Sequence, residues 1–319
     1  MKLNEGSPSN LGNGHLETLI PYLFRPTKTQ SYQRERIDTP DEDFLDLDWA
    51  KNNHKKLVII SHGLESSSRA KYVQGAADVL QKSGYDVLAW NYRGCSGEIN
   101  RTLKYYHSGA SDDLGLVVDH VLNTQLQYER IYLLGYSLGG NLTLKYLGEQ
   151  SEQLNSKIKA ACVLSTPCYL KTASHQLASG FNKLYTQNFV RSLRQKVIAK
   201  KALLEANGFD ISVVNDLPNL PAFDDVFTAP LHGFVDANDY YEQCSSRYFI
   251  EQISIPTLIV NAANDPFLSK ECYPYEEVAK NPQVRLDVPR YGGHVGFYRF
   301  GDGNTMWSES RIRTYFSLY

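Results

Sequence analysis

Hydrophobic residues in this chain recur with two periods, and the alternation of those periods sets out the architecture. From about residue 55 onward, short continuous apolar runs separate longer stretches of helical periodicity. Leu57–Ser61, Asp86–Asn91, Arg130–Leu134, Lys159–Ser165 and Pro256–Ala262 are five such runs, and Val284–Val288 is a weaker sixth. Continuous rather than alternating hydrophobicity marks strands covered on both faces, as in a parallel sheet between helical layers. Leu114, Val117, Val118, Val121 and Leu122 form a helical stripe. Leu142, Tyr146 and Leu147 form a second, and Ile312, Tyr315, Phe316 and Tyr319 mark a closing helix. The segment FLDLDW alternates strictly, which predicts a half-solvated strand at a sheet edge.

One region breaks the rhythm. Between Pro167 and Ile255 no buried-strand run occurs; the pattern is helical from Leu177 to Val197, then loop-like through PNLPAFDD. An insertion of this length between two strands predicts a helical cap over the sheet, at about residues 168–253, within a single α/β domain spanning 1–319.

The chemistry concentrates at the strand ends. Ser137 lies in GYSLGG, between the run RIYLL and the helical stripe that begins at Leu138. A strand-to-helix turn this tight crowds the backbone, so glycines at 135, 139 and 140 fit where a Cβ would clash, leaving an exposed hydroxyl at a helix N-terminus. A serine nucleophile needs a base. Of eight histidines, His294 sits on the Gly-rich loop RYGGHVGF between the last strand and the last helix. Asp265, in NAANDPF, directly follows the strand PTLIVNA and is the candidate orienting carboxylate; Asp224 and Asp225 are second choices within the insertion. The chain order Ser137, Asp265, His294 on an alternating α/β pattern is that of α/β-hydrolases. An oxyanion hole needs two backbone N–H donors: Leu138, after the serine, and Leu64, after the strand-ending His62-Gly63. His62, Gly63, Tyr136, His107 and His232 are candidates to line the pocket, while His15, His54, His120 and His175 read as ordinary surface or packed residues.

Together, His62-Gly63-Leu64, Gly135 to Gly139, Asn264-Asp265-Pro266 and Gly293-His294 resemble the α/β-hydrolase superfamily. GHLETLIP, NYRGCSGE, YYHSG, DDVFTAPLHGF and GGHVGF resemble its YheT-like branch, the bacterial relatives of eukaryotic membrane-anchored lipases and acyltransferases. The resemblance implies a Ser-His-Asp esterase or lipase that uses no cofactor, and it leaves the substrate open. The N-terminal anchor of the eukaryotic relatives has no counterpart in MKLNEGSPSN, which leaves membrane residence open.

Composition narrows the setting. A net charge of −2 offers no basic face to nucleic acid, and no apolar run approaches a membrane span. Five scattered cysteines with no CxxC point to reduced thiols in the cytoplasm, and no zinc-type cluster predicts a metal. Cys95 reads as a packed cysteine, and GNGHLE lacks the context of a dinucleotide fingerprint. Residues 171–204 hold seven basic side chains and no acidic one, a stretch suited either to solvated ion pairing or to anionic lipid. The expected reaction is hydrolysis of a small-molecule carboxylic ester with short- to medium-chain acyl groups. Alcohol acyl transfer, thioester or amide hydrolysis and non-catalytic ligand binding are the alternatives.

Overall fold

The computed structural model describes residues 6–26, 29–301 and 303–319, so half of the N-terminal segment read above lies outside the described residues. Helix α1 (Gly14–Phe24) leads into strands β1 (Gln33–Asp38), β2 (Phe44–Ala50) and β3 (Lys56–Ser61), followed by α2 (Lys71–Lys82) and β4 (Asp86–Asn91). Next come α3 (Ser111–Thr124), β5 (Arg130–Tyr136), α4 (Leu138–Gln150) and β6 (Ile158–Leu164). The eight strands form one sheet in the order β1-β2-β4-β3-β5-β6-β7-β8, where β7 is Thr257–Val260 and β8 is Val284–Asp287. From β4 to β8 neighbouring strands pair in parallel, while β1 and β2 are antiparallel additions.

The five stronger apolar runs are strands buried on both faces, while the weaker sixth, Val284–Val288, is the edge strand β8, with only Val284 buried. Leu57, Ile59, Leu133 and Val163 face α3 and α4, whereas Val58, Ile60, Leu134 and Leu164 face α2 and the closing helix at residues 307–316. Each such side chain removed from water contributes roughly 1.5–3 kcal/mol.

The FLDLDW segment is not an edge strand. β2 is buried along its whole length because β1 lies outside it, and the two aspartates that mimic a solvent face are neutralised there. Arg34 donates to Asp48 at 2.7 and 2.8 Å and Arg36 to Asp46 at 2.7 and 2.8 Å.

Between β6 and β7 the chain builds α5 (Leu170–Leu177), α6 (Lys183–Ala199), α7 (Lys201–Ala206), α8 (Leu220–Phe223), α9 (Ala229–His232) and α10 (Ala237–Cys244). PNLPAFDD is therefore helical rather than a loop. Asn219 caps α8 by accepting from the Ala222 amide, and a π-turn at Asp224–Thr228 carries the chain straight into α9. Proline at the start of α8 suits a helix, since its missing N–H would be unpaired there anyway. The insertion has a core of its own, including Val190, Val197, Phe223 and Phe227, with Leu64 of the loop after β3 packed against it. Helix α11 (Tyr275–Lys280) precedes β8, and α12 (Trp307–Phe316) ends the fold.

Candidate active site

Ser137 occupies the turn between β5 and α4 with φ +54° and ψ −120°, a strained conformation for a residue with a Cβ. The turn is held by the Ser137 amide donating to Leu164 O of β6 at 2.9 Å. Gly139 explains the tightness: a Cβ there would lie 2.3 Å from Ser61 O and 2.5 Å from His62 O. The first turn of α4 thus seats directly on the end of β3, which brings the His62-Gly63-Leu64 loop beside the serine.

Three side chains distant in sequence converge here. His294 Nε2 lies 2.9 Å from Ser137 Oγ, and His294 Nδ1 lies 2.9 and 3.0 Å from the two carboxylate oxygens of Asp265. The Asp265 side chain is fully buried and also accepts from the Phe267 amide at 2.9 Å, which fixes its rotamer. The Phe267 ring stacks on the imidazole at 4.1 Å between centroids. An arrangement in which a carboxylate holds one imidazole nitrogen and the other faces a hydroxyl can take the hydroxyl proton and return it.

Leu64 and Leu138 flank the serine, and neither backbone N–H has a hydrogen-bond acceptor among the described residues. Leu138 is the first residue of α4, where the helix leaves its amides unpaired.

The other sequence candidates divide into two groups. Gly63 lines the open groove and His107 lines the inner pocket described below. His62 and Tyr136 line neither cavity. The buried His62 bonds through Nδ1 to Gly63 O at 2.8 Å and accepts at Nε2 from the Tyr92 amide at 3.3 Å, and burial pulls its pKa down to about 3. It is a neutral brace under the loop. Tyr136 packs beneath the turn against Tyr72, with ring centroids 4.8 Å apart. His232 stands behind His107, the rings 4.3 Å apart, and burial lowers the pKa of both. Of the second-choice acids, Asp225 is exposed and accepts from the Ala237 amide. Asp224 reaches the pocket wall, but its carboxylate is taken by Thr228 Oγ1 and Tyr241 OH, each at 2.6 Å. Burial raises its pKa to about 6.

Two cavities meet at Ser137 and His294. The inner one, about 90 Å³, runs beneath the insertion between apolar side chains such as Leu170, Ala173, Leu177 and Leu220. It reaches His107, Asp224, Thr228, Tyr240 and Tyr241. The outer one, about 750 Å³, is a groove between α1, the loop after β3 and α6.

Helix α1 braces the candidate site through positions to which the sequence pattern assigns no role. Buried Glu17 accepts from the Gly292 amide at 2.6 Å and from Asn264 Nδ2 at 2.8 Å, joining the loops that bear His294 and Asp265. Thr18 Oγ1 accepts from the His294 amide at 2.8 Å. A Cβ on Gly14 would sit 1.9 Å from Asn264 O, so only glycine allows α1 this close. GHLETLIP was visible as a motif, but nothing local tells that it braces loops some 250 residues away. Cys95 is a packed thiol, as expected: burial pushes its pKa up to about 11.

The comparisons agree with this architecture. Residues 56–299 match the family model described as alpha/beta hydrolase fold. The chain is 34% identical to YheT of Escherichia coli (strain K12), over 96% of this chain and 91% of that one. It is 28% identical to the mouse phospholipase ABHD3, over 88% of this chain and 70% of the relative. Among solved structures, the Pyrococcus furiosus esterase Pf2001 superposes with a TM-score of 0.59 at 21% identity, covering 98% of this chain and 99% of that one. Sheet order, strained serine turn and family match converge on one assignment: the chain belongs to the α/β-hydrolase family.

Proposed function

We propose that this protein hydrolyses carboxylic esters through an acyl-enzyme on Ser137. The observation that carries the reading is the continuous hydrogen-bonded relay from Ser137 Oγ through His294 to Asp265, with contacts of 2.9–3.0 Å. His294 Nε2 takes the serine proton as Oγ attacks the acyl carbonyl. The Leu64 and Leu138 amides receive the developing oxyanion, and Asp265 stabilises the imidazolium. The tetrahedral intermediate collapses, the alcohol leaves with the proton from His294, and water activated by the same imidazole releases the acid. No step calls for a cofactor.

The insertion acts as a cap in this reading, and the two cavities divide the substrate. The inner pocket takes the acyl chain, so its size favours short to medium chains, while the outer groove takes the alcohol moiety and admits the acceptor. A series of p-nitrophenyl esters tests the division: rates peak at short to medium acyl chains and fall for palmitate, and Ser137→Ala abolishes turnover. A palmitate optimum contradicts the pocket assignment. With ethanol present, free acid as the main product supports hydrolysis, and ethyl ester as the main product replaces it with acyl transfer.

Contact with anionic lipid through the basic stretch is a separate proposal. Three of its seven cations turn inward: Arg194 donates to Leu217 O, Lys196 pairs with Glu65, and Lys200 donates to Thr102 O. Lys183 and Arg191 are exposed. Flotation with anionic but not neutral vesicles supports the contact, and equal flotation or none ends it. No helix among the described residues is long and apolar enough to cross a membrane. The cysteines form no disulfide among the described residues, which suits a reducing compartment such as the cytoplasm.

A further inference from the structure

We propose that Glu65 and Lys196 form a positioning clamp that couples α6 to the loop carrying Leu64 and aims the Leu64 amide at the reacting carbonyl. The inference rests on the ester-hydrolase reading above, in which that amide is an oxyanion donor.

Glu65 follows Leu64 directly and holds φ at +50°, in the left-handed region that a side chain disfavours. Such a conformation persists only where its surroundings fix it. Here the backbone amide and both carboxylate oxygens of the residue are tied down. The Glu65 amide donates to Tyr106 OH at 2.8 Å, and the same hydroxyl donates back to Glu65 Oε1 at 2.7 Å, closing a ring around the strained backbone. From the inserted segment, Lys196 Nζ donates to Oε1 at 2.6 Å and Ser192 Oγ donates to Oε2. Those two donors lie one helical turn apart on the same face of α6.

The pair is mostly buried in the wall of the outer groove, with side-chain exposures of 3% for Glu65 and 11% for Lys196. Lys196 Nζ also lies 3.1 Å from Cys95 Sγ and 4.8 Å from the centre of the Tyr106 ring, so the cluster holds its charge at the wall of the outer groove. A buried carboxylate that loses its cation is left uncompensated and must reorient toward water. Because Glu65 is the residue next to the donor, that reorientation rotates the Leu64 peptide. Leu64 itself packs against both the sheet core and the core of the insertion, so its backbone is the joint between the two. Docking of α6 and alignment of the oxyanion hole are thus one event: an insertion that swings away from the sheet takes with it the groups that hold the amide in place.

The role is one of position rather than chemistry, and the test separates the two. In Glu65→Gln, Lys196→Met, Lys196→Arg and the Glu65→Gln/Lys196→Met double variant, kcat and KM for p-nitrophenyl butyrate are measured. Affinity for a trifluoromethyl ketone, which forms an oxyanion on the serine, is measured alongside. Removing an oxyanion donor outright lowers turnover by about 100- to 1,000-fold, so a donor present but misdirected should lower kcat by roughly 10- to 100-fold. The clamp predicts that loss in Glu65→Gln and in Lys196→Met, with KM nearly unchanged and ketone affinity weakened in step with kcat. Lys196→Arg recovers most of the activity, and the double variant is no worse than the worse single one. Full kcat in the single variants overturns the proposal. So does a loss confined to KM, or retained ketone affinity, since a merely structural pair would act that way. If Glu65→Gln does not fold, the contrast between Lys196→Met and Lys196→Arg decides the matter. A wild-type protein inactive on the ester and unreactive toward a fluorophosphonate sinks the ester-hydrolase reading itself, and the clamp with it.

Discussion

Single residues carry the site through geometry that their neighbours impose. Ser137 is held at φ +54° because the amides and glycines around it leave no other path from β5 into α4. Gly139→Ala tests this: the new Cβ meets Ser61 O and His62 O and pushes the turn away from the loop after β3. The expected outcome is a destabilisation of about 1–3 kcal/mol, typical of overpacking, together with a kcat loss larger than the melting shift alone explains. Asp224 gives a pH test. Its folded pKa of about 6 lies above the ordinary value of 3.8 because burial disfavours the carboxylate. A raised pKa means that the fold prefers the protonated acid, so this contribution to stability is complete below about pH 3.8 and is lost as pH rises through 6. Asp224→Asn removes that dependence. Relative to wild type it should be about 2–3 kcal/mol more favourable at pH 7 than at pH 3.5, as read by denaturant unfolding. His107 and His232, whose burial lowers their pKa, weaken both proteins alike at low pH and cancel in the comparison.

Among the elements, those legible in the sequence are the ones whose burial is decided locally. β3, β4, β5 and β6 announce themselves as apolar runs, and α3 and α4 as stripes, because each meets the core along its length. The candidate relay was legible for the same reason: Ser137, Asp265 and His294 each follow a recognisable strand. What was not legible depends on partners far along the chain. QRERID has no apolar signal, since β1 is exposed or half-exposed at every position, yet it turns β2 into an interior strand by supplying Arg34 and Arg36. PNLPAFDD reads as a loop because two prolines obscure a helix that the insertion's core stabilises. Helix α1 is the largest omission, because the contacts that brace the site are with residues 264 and 292–294, far along the chain. Glu17→Ala strips the acceptor from the Gly292 amide and Asn264 Nδ2. Buried donors left unpaired cost about 1–3 kcal/mol each, so the melting temperature falls. We expect kcat to fall at least tenfold as the loops bearing Asp265 and His294 loosen. Full activity at permissive temperature would show that α1 serves stability alone.

At the scale of the whole molecule, the ends of the parallel strands carry the candidate relay, and the proposed function gives the inserted segment control over what reaches it. The narrow inner cavity and the wide outer groove share Leu64, Ser137, Leu177, Phe267 and His294 in their linings. Filling the inner cavity with Ala173→Phe should move the acyl-length optimum toward acetate while leaving Ser137 reactive; an unchanged optimum would place the acyl chain elsewhere. The central claim, that Ser137 is the nucleophile of an ester hydrolase, is tested most directly by treating the folded protein with a fluorophosphonate and locating the adduct by mass spectrometry. The account predicts one adduct, on Ser137, formed in parallel with loss of esterase activity and absent from a folded Ser137→Ala variant. An adduct on another residue, or labelling that survives Ser137→Ala, would contradict it.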